Sequence, residues 1–247
     1  MIFLQIQADL HTHTIASTHG YSTITEMAKA AAQRGVRLLA MTDHGPAMPD
    51  APHLWHFHNY KILPRRIEGV WLLKGVEANI IDEKGTLDMD EKELAFCEWV
   101  IASYHSHCVK FCRDAETVTR GYRKVCENPA VDVIGHFTTD FFPCDYEAVA
   151  VCAKEHGKII ELNESSLQWK KGALKNAYTA YAACKKLQVP IIVNTDAHYH
   201  GLVGKTPLAE QLLAELDFPH ELVLNLDADC VMEMAARKRG IRFVDED

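Results

Sequence analysis

The sequence predicts an α/β barrel of about seven strand–helix units in a single domain spanning residues 1–247. Short apolar runs alternate with segments of helical periodicity along the whole chain. Nearly every apolar run ends in a histidine, aspartate or glutamate, which are residue types that bind metal ions. Because the parallel strands of a barrel bring their C-terminal ends to one rim, these side chains are expected to converge there.

Each apolar run is predicted to be a strand, and the residues at its end are the candidate ligands. His11 and His13 lie on the same side of the first strand because side chains alternate along an extended chain. His19 follows after a polar, glycine-containing turn. The later strands end in Asp43-His44, Glu77, His105, His136, Asn163 and Asp196-Ala197-His198. The strands are about Phe3–Leu10, Val36–Thr42, Val70–Ala78, Trp99–Tyr104, Val131–His136, Lys158–Asn163 and Val189–Thr195.

The predicted helices fill the intervals between the strands and the last third of the chain. Thr23 with Glu26 forms a capping box, and Asp114 and Asp145 are N-cap residues. Gly45–Asn59 is predicted to be a loop over the site, and Leu222–Leu226 a short extended piece. The helices are near Ile24–Arg34, from Asp114 to Glu127, from Tyr146 to Gly157, up to Leu187, Pro207–Leu216 and Ala228–Arg239.

The composition disfavours several classes of protein, including nucleic-acid-binding and membrane proteins. The formal net charge of −8 disfavours a broad nucleic-acid or membrane-binding face. No stretch approaches the ~20 apolar residues of a membrane span. The first residues lack a basic segment and a small-residue cleavage site, so a cytoplasmic location is expected. The eight cysteines are predicted to be free thiols, because disulfides are rare in the cytoplasm.

Several longer motifs accompany these strand ends. They include Ala16-Ser17-Thr18-His19, Asp43-His44-Gly45-Pro46, Asp50-Ala51-Pro52-His53, Glu77-Ala78-Asn79-Ile80 and Asn163-Glu164-Ser165-Ser166. Together with the strand-end ligands, they resemble the PHP (polymerase and histidinol phosphatase) superfamily, and within it the YcdX-like single-domain phosphatases. The likeness spans most of the chain. It departs from related sequences at His136-Phe137-Thr138-Thr139-Asp140, where these often have Pro and Gly.

The resemblance implies a distorted seven-stranded (β/α)7 TIM-like barrel that binds three metal ions, usually zinc, at the C-terminal rim. His11 and His13 would bind one ion with Glu77 and Asp196. Glu77 would bridge to a second ion held by His105 and His136. His19, His44 and His198 would hold the third. Nitrogen-rich sites with two carboxylates also suit manganese or iron.

Such a centre predicts hydrolysis of a small phosphate monoester by in-line attack of a metal-activated hydroxide. His11, Glu77 and Asp196 are the candidate catalytic residues, and Asp196 would assist proton transfer. Asp9 and Asp43 are candidates for orienting ligand histidines, or else strand-end turn residues. The candidate substrate-binding residues are Lys61, Arg65, His56 and Asn163.

Two other functions fit the same residues. The first is phosphodiester cleavage, as by an exonuclease, although the negative charge and the lack of a basic, aromatic-rich groove disfavour it. The second is a catalytically silent metal-binding domain, which the complete set of ligands disfavours. The expected partner is a small phosphorylated substrate, without nucleic acid or membrane. The sequence does not indicate the oligomeric state.

Overall fold

A computed structural model describes residues 5–111 and 113–244 and confirms the predicted barrel of seven parallel strands. The strands are β1 Ala8–Thr12, β2 Leu38–Met41, β3 Arg66–Ile67, β4 Val70–Asn79, β5 Trp99–Ser103, β6 Val133–Ile134, β7 Ile159–Asn163 and β8 Ile191–Asn194. They lie in the order β1-β2-β4-β5-β6-β7-β8, and the short strand β3 pairs antiparallel with β4.

The barrel closes almost completely between its first and last strands. Thr12 and Ala197 form an isolated parallel bridge, and the His13 N–H donates to the Ala197 carbonyl at 2.9 Å. Below this bridge, the buried Asn225 side chain donates to the carbonyls of Ala8 at 2.7 Å and Val193 at 2.6 Å. Asn225 thus links β1 to β8 where direct pairing is missing.

The helices confirm most of the sequence prediction, including the capping box of Thr23 and Glu26 and the caps at Asp114 and Asp145. The stretch predicted as one helix ending at Leu187 is two helices, α6 at Glu164–Trp169 and α7 at Ala173–Leu187. The helices are α1 Ile24–Gln33, α2 Trp55–His58, α3 Glu91–Leu94, α4 Ala115–Cys126, α5 Tyr146–Glu155, α6 Glu164–Trp169, α7 Ala173–Leu187, α8 Pro207–Glu215 and α9 Ala228–Arg239.

Two local predictions were wrong. The predicted loop Gly45–Asn59 contains the short helix α2. Leu222–Leu226 is not an extended piece, because 3-10 turns cover His220–Leu222 and Leu224–Leu226, although Val223 between them bridges to Ile191. The first predicted strand began at Phe3, but Phe3 and Leu4 lie outside the described residues, and β1 begins at Ala8.

The barrel has an apolar bottom and a polar top. Residues near the beginnings of the strands, such as Ala8, Leu38 and Trp99, form one buried cluster with Val231 and Ala235 of α9. Helix α9 therefore covers the N-terminal ends of the strands. In β4, Leu73 belongs to this cluster, and Glu77 lies four residues further on the same side of the strand. The interior thus changes from hydrocarbon to carboxylate toward the C-terminal rim.

The seven described cysteines are free thiols, as predicted, and Cys112 lies outside the described residues. None of the helices in the described part of the chain has both the length and the apolar character that a membrane crossing requires.

Candidate metal centre

The nine predicted metal-binding side chains gather at the C-terminal rim of the barrel. The ends of different strands and the loops that follow them supply these residues, which lie up to 187 positions apart in the sequence. Between Asp9 and Thr12 the pairing of β1 with β2 changes register. Such irregularities re-aim side chains beside active sites, and this one lies at His11.

Glu77 is the centre of the cluster. Its Oε1 atom lies 2.8 Å from His136 Nε2 and 3.3 Å from His105 Nε2. Its Oε2 atom lies 2.8 Å from His44 Nδ1, and 3.4 Å and 3.5 Å from the Nε2 atoms of His11 and His13. The two oxygens therefore face different groups of imidazoles, as a carboxylate that bridges two cations would.

His11, His13 and Asp196 form a second group of contacts. The Nε2 atoms of the two histidines are 3.1 Å apart, and Asp196 Oδ1 lies 3.1 Å from His13 Nε2 and 3.6 Å from His11 Nε2. Asp196 has a positive φ of 54°, an uncommon conformation that aspartate tolerates better than most residues. Strained backbone of this kind occurs often at functional sites.

His19, His44 and His198 form the outer part of the cluster. The ring centroids of His19 and His198 are 4.4 Å apart, and those of His19 and His44 are 5.1 Å apart. His13 also lies close to this part, with its ring centroid 4.2 Å from both His44 and His198. His44 thus borders both Glu77 and the outer histidines.

The cluster fits the binding of cations. Three groups have donor atoms within 4.8 Å of one another: His11 with His13 and Asp196, His44 with Glu77 and His105, and His13 with His44 and His198. Glu77 Oε2, Asp196 Oδ1 and His198 Nε2 are buried without a hydrogen bond among the described residues. Each such atom costs about 1–3 kcal/mol when it stays unpaired. Bound cations would remove this cost.

Burial and charge set the protonation of the cluster. Burial would raise the pKa of the Glu77 carboxyl, but the adjacent His105 and His11 lower it well below its ordinary value. Burial lowers the pKa of His105 to about 4. Burial and the neighbouring His198 lower the pKa of His13 well below its ordinary value. The carboxylate is therefore ionised, and His105 and His13 are neutral, which are the forms that bind metals. Burial lowers the pKa of His11 and of His44, but adjacent carboxylates raise both above their ordinary value.

Glu161 is a functional candidate that the sequence analysis missed. Its fully buried carboxylate accepts hydrogen bonds from His11 Nδ1 at 2.6 Å, from the His136 N–H at 2.9 Å and from Asn194 Nδ2 at 2.9 Å. Because Glu161 binds His11 through Nδ1, the Nε2 atom of His11 faces Glu77 and Asp196. One signal was present: Glu161 is the charged residue of the strand Ile159–Asn163.

Replacing Glu161 with glutamine is expected to weaken metal binding about 10- to 100-fold, because a carboxylate that orients a ligand histidine also makes it more basic. Zinc affinity by competition with a chelator measures this. Glu164→Gln is the matched control, since that buried carboxylate accepts the Leu208 and Ala209 N–H groups instead. Equal zinc affinity of Glu161→Gln and Glu164→Gln, with equal melting of their metal-free forms, would contradict the role.

Two other ring nitrogens of the cluster, in His105 and His19, also contact polar side chains. Asn79 Oδ1 accepts a hydrogen bond from His105 Nδ1 at 2.7 Å, and Asp50 contacts His19 Nδ1. Asn79 lies two residues beyond Glu77, on the same side of β4.

Of the two roles left open for Asp9 and Asp43, their contacts favour that of turn residues at the strand ends. Asp9 accepts hydrogen bonds from Thr195 Oγ1 at 2.6 Å and the Gly204 N–H at 3.0 Å. Asp43 accepts from the N–H and the hydroxyl of Thr14, both at 2.8 Å, and from Ser17 Oγ at 2.9 Å. Both carboxylates instead fix the loops that follow β1 and β8.

The four predicted substrate-binding residues are scattered. Arg65 forms a bidentate ion pair with Glu98, with both distances 2.7 Å, and donates to the Leu72 carbonyl near the beginning of β4, so the structure does not bring it to the rim. Lys61 is exposed in a 3-10 turn. His56 Nε2 lies 3.2 Å from Asp43 Oδ2. Asn163 is at the rim, where its Nδ2 donates to Asp196 Oδ2 at 3.2 Å.

The chain matches a known protein family and several named relatives. The model of the PHP domain family matches residues 9–165. A probable phosphatase of Thermoanaerobacter sp. (strain X514) is 44% identical over 237 residues, covering 96% of this chain and 97% of the relative. A probable phosphatase of Clostridium novyi (strain NT) is 42% identical over 220 residues, covering 89% and 90%.

Solved structures show the same fold. Histidinol phosphate phosphatase from Lactococcus lactis, solved with zinc, L-histidinol and phosphate, matches with a TM-score of 0.60 at 16% identity. The match covers 86% of this chain and 94% of that one. The predicted family and the predicted enzyme class, a phosphatase, are both confirmed by the comparisons. The chain belongs to the PHP domain family.

Proposed function

We propose that this protein hydrolyses a small phosphate monoester at a centre of three metal ions, with zinc as the metal. The observation that carries the proposal is the convergence of seven histidines and two carboxylates at one rim, with ionised, buried Glu77 between the imidazole groups. The relatives named probable phosphatase and the zinc and phosphate in the L. lactis neighbour also support it.

The residues would divide among the ions as the family resemblance implies. His11, His13 and Asp196 would hold the first with Glu77, and Glu77 would reach the second with His105 and His136. His19, His44 and His198 would hold the third. Divalent ions lower the pKa of bound water and neutralise charge on phosphoryl oxygens, which is the chemistry that a phosphate ester requires.

The chain's own residues would orient the groups that react. Asn163 holds Asp196 Oδ2, which leaves Asp196 Oδ1 beside His13 and able to accept a proton from the attacking water. Glu161 holds His11 by its Nδ1–H group. In the reaction, the water oxygen forms a bond to phosphorus, the bond from phosphorus to the leaving oxygen breaks, and a proton passes to that oxygen.

The test compares chelated protein with protein reloaded with zinc, manganese or iron. We expect hydrolysis of p-nitrophenyl phosphate that chelation removes and zinc restores, with three ions per chain by elemental analysis. Activity that persists in protein shown to be metal-free would overturn the metal dependence. Faster cleavage of a single-stranded oligonucleotide would replace the monoesterase with an exonuclease. Full metal content without turnover of either substrate would indicate a silent metal-binding domain.

A further inference from the structure

A cavity of about 310 Å³ opens beside the metal centre, near the lower limit for small-molecule sites. Its inner wall includes His44, His105, Asp196 and His198. Its outer wall includes Phe141 and Lys170, neither of which was among the predicted site residues. The cavity therefore connects the candidate ligands with two side chains of very different chemistry.

The segment that carries Phe141 and the segment that carries Lys170 are hydrogen-bonded to each other. The Asp140 N–H donates to the Lys171 carbonyl at 2.9 Å. Asn176 Nδ2 donates to the Thr138 carbonyl and to Asp140 Oδ1, both at 2.9 Å. These bonds connect the loop after β6 to the turn between α6 and α7 and to the first part of α7. Phe141 and Lys170 thus belong to one hydrogen-bonded unit.

Gly172 permits this close approach. It has a φ of 76°, and a Cβ atom there would lie 2.0 Å from Asp140 Oδ1. A residue with a side chain would be strained at this φ, and the Asp140 side chain would have to move away from it. The chain therefore specifies the position of Lys170 relative to the loop that carries Phe141.

Phe141 and Lys170 differ from their neighbours in exposure and charge. Phe141 is 53% exposed, whereas the adjacent Phe142 is 2% exposed. Lys170 is the one lysine or arginine among the described residues that line this cavity, and it is partly buried. A cation beside a phosphate-binding centre attracts anions, and an exposed aromatic ring offers apolar contact area.

We propose that Lys170 binds the phosphoryl group of the substrate and that Phe141 contacts its leaving group. This inference rests on the proposed function and adds a substrate class: small phosphate monoesters whose leaving group has an apolar or aromatic part. Lys170 would supply the positive charge that was predicted at Lys61 and Arg65.

The first test measures binding of inorganic phosphate to metal-loaded protein by calorimetry, together with KM for p-nitrophenyl phosphate. Lys170→Ala is expected to raise both Kd and KM about tenfold, as for the loss of one charged hydrogen bond, and Lys170→Arg to restore most of the loss. Lys171→Ala, at the exposed neighbouring position, is the matched control. Unchanged phosphate binding in Lys170→Ala, with metal content equal to wild type, would overturn the role of Lys170.

The second test compares phenyl phosphate with methyl phosphate. Phe141→Ala is expected to lower kcat/KM about tenfold for the aromatic ester, through lost apolar contact, and by a much smaller factor for the methyl ester. An equal effect on both esters, or no effect on either, would overturn the leaving-group contact. Failure of the wild-type protein to bind phosphate or hydrolyse any ester would instead overturn the proposed function, so the two failures are distinguishable.

Discussion

Replacing Glu77 with glutamine is expected to lower phosphatase activity roughly a thousandfold or more, which corresponds to about 4 kcal/mol in the barrier. Glutamine has nearly the same shape, but it replaces one carboxylate oxygen with an NH₂ group and removes the charge. Both oxygens of Glu77 lie within 3.5 Å of imidazole nitrogens, so either amide orientation places a donor where a cation is expected. The variant should therefore lose metal ions as well as turnover.

Elemental analysis and p-nitrophenyl phosphate hydrolysis of the Glu77→Gln protein measure the two effects together. Glu98→Gln is the control, because its mostly buried carboxylate pairs with Arg65 near the beginning of β4. That change is expected to affect stability without affecting metal content. If Glu77→Gln kept full metal content and turnover, Glu77 would not be a bridging ligand.

The barrel and the convergence of the candidate ligands at one rim follow from local patterns in the chain. Each strand is an apolar run, and its last side chains point to one rim because all the main strands are parallel. His11 with His13 and Glu77 with Asn79 show how spacing by two residues places polar groups on one side of a strand. This information is contained within a few residues of each strand end.

Groups whose role depends on distant partners were harder to predict. Glu161 resembles any charged residue in a strand until the fold places it 2.6 Å from His11, which lies 150 positions earlier. Arg65 follows the predicted loop over the site, but its guanidinium turns toward Glu98 instead. Lys170 lies in the turn between α6 and α7, where no periodic pattern specifies a direction. The direction of a side chain in a loop, and the contact of a residue such as Glu161 with a candidate ligand, can be read only from the tertiary structure.

Asp196→Asn is expected to abolish most of the activity, again roughly a thousandfold, because the amide cannot accept the proton that the proposed mechanism gives to Asp196 Oδ1. Asparagine is the informative substitution at this position. Asp196 has a positive φ, and asparagine tolerates that conformation, whereas alanine would add backbone strain. A loss of activity in Asp196→Asn would therefore reflect the carboxylate and not the backbone.

A second aspartate provides a matched control for this substitution. Asp217 also has a positive φ, 47°, but its side chain is fully exposed beside Lys185. Asp217→Asn should leave both turnover and metal content unchanged. Turnover of Asp196→Asn at full metal loading separates proton transfer from metal binding, because a variant that keeps its ions but loses activity lacks the proton acceptor. Full turnover in the metal-loaded variant would exclude Asp196 from proton transfer and leave it, at most, a ligand.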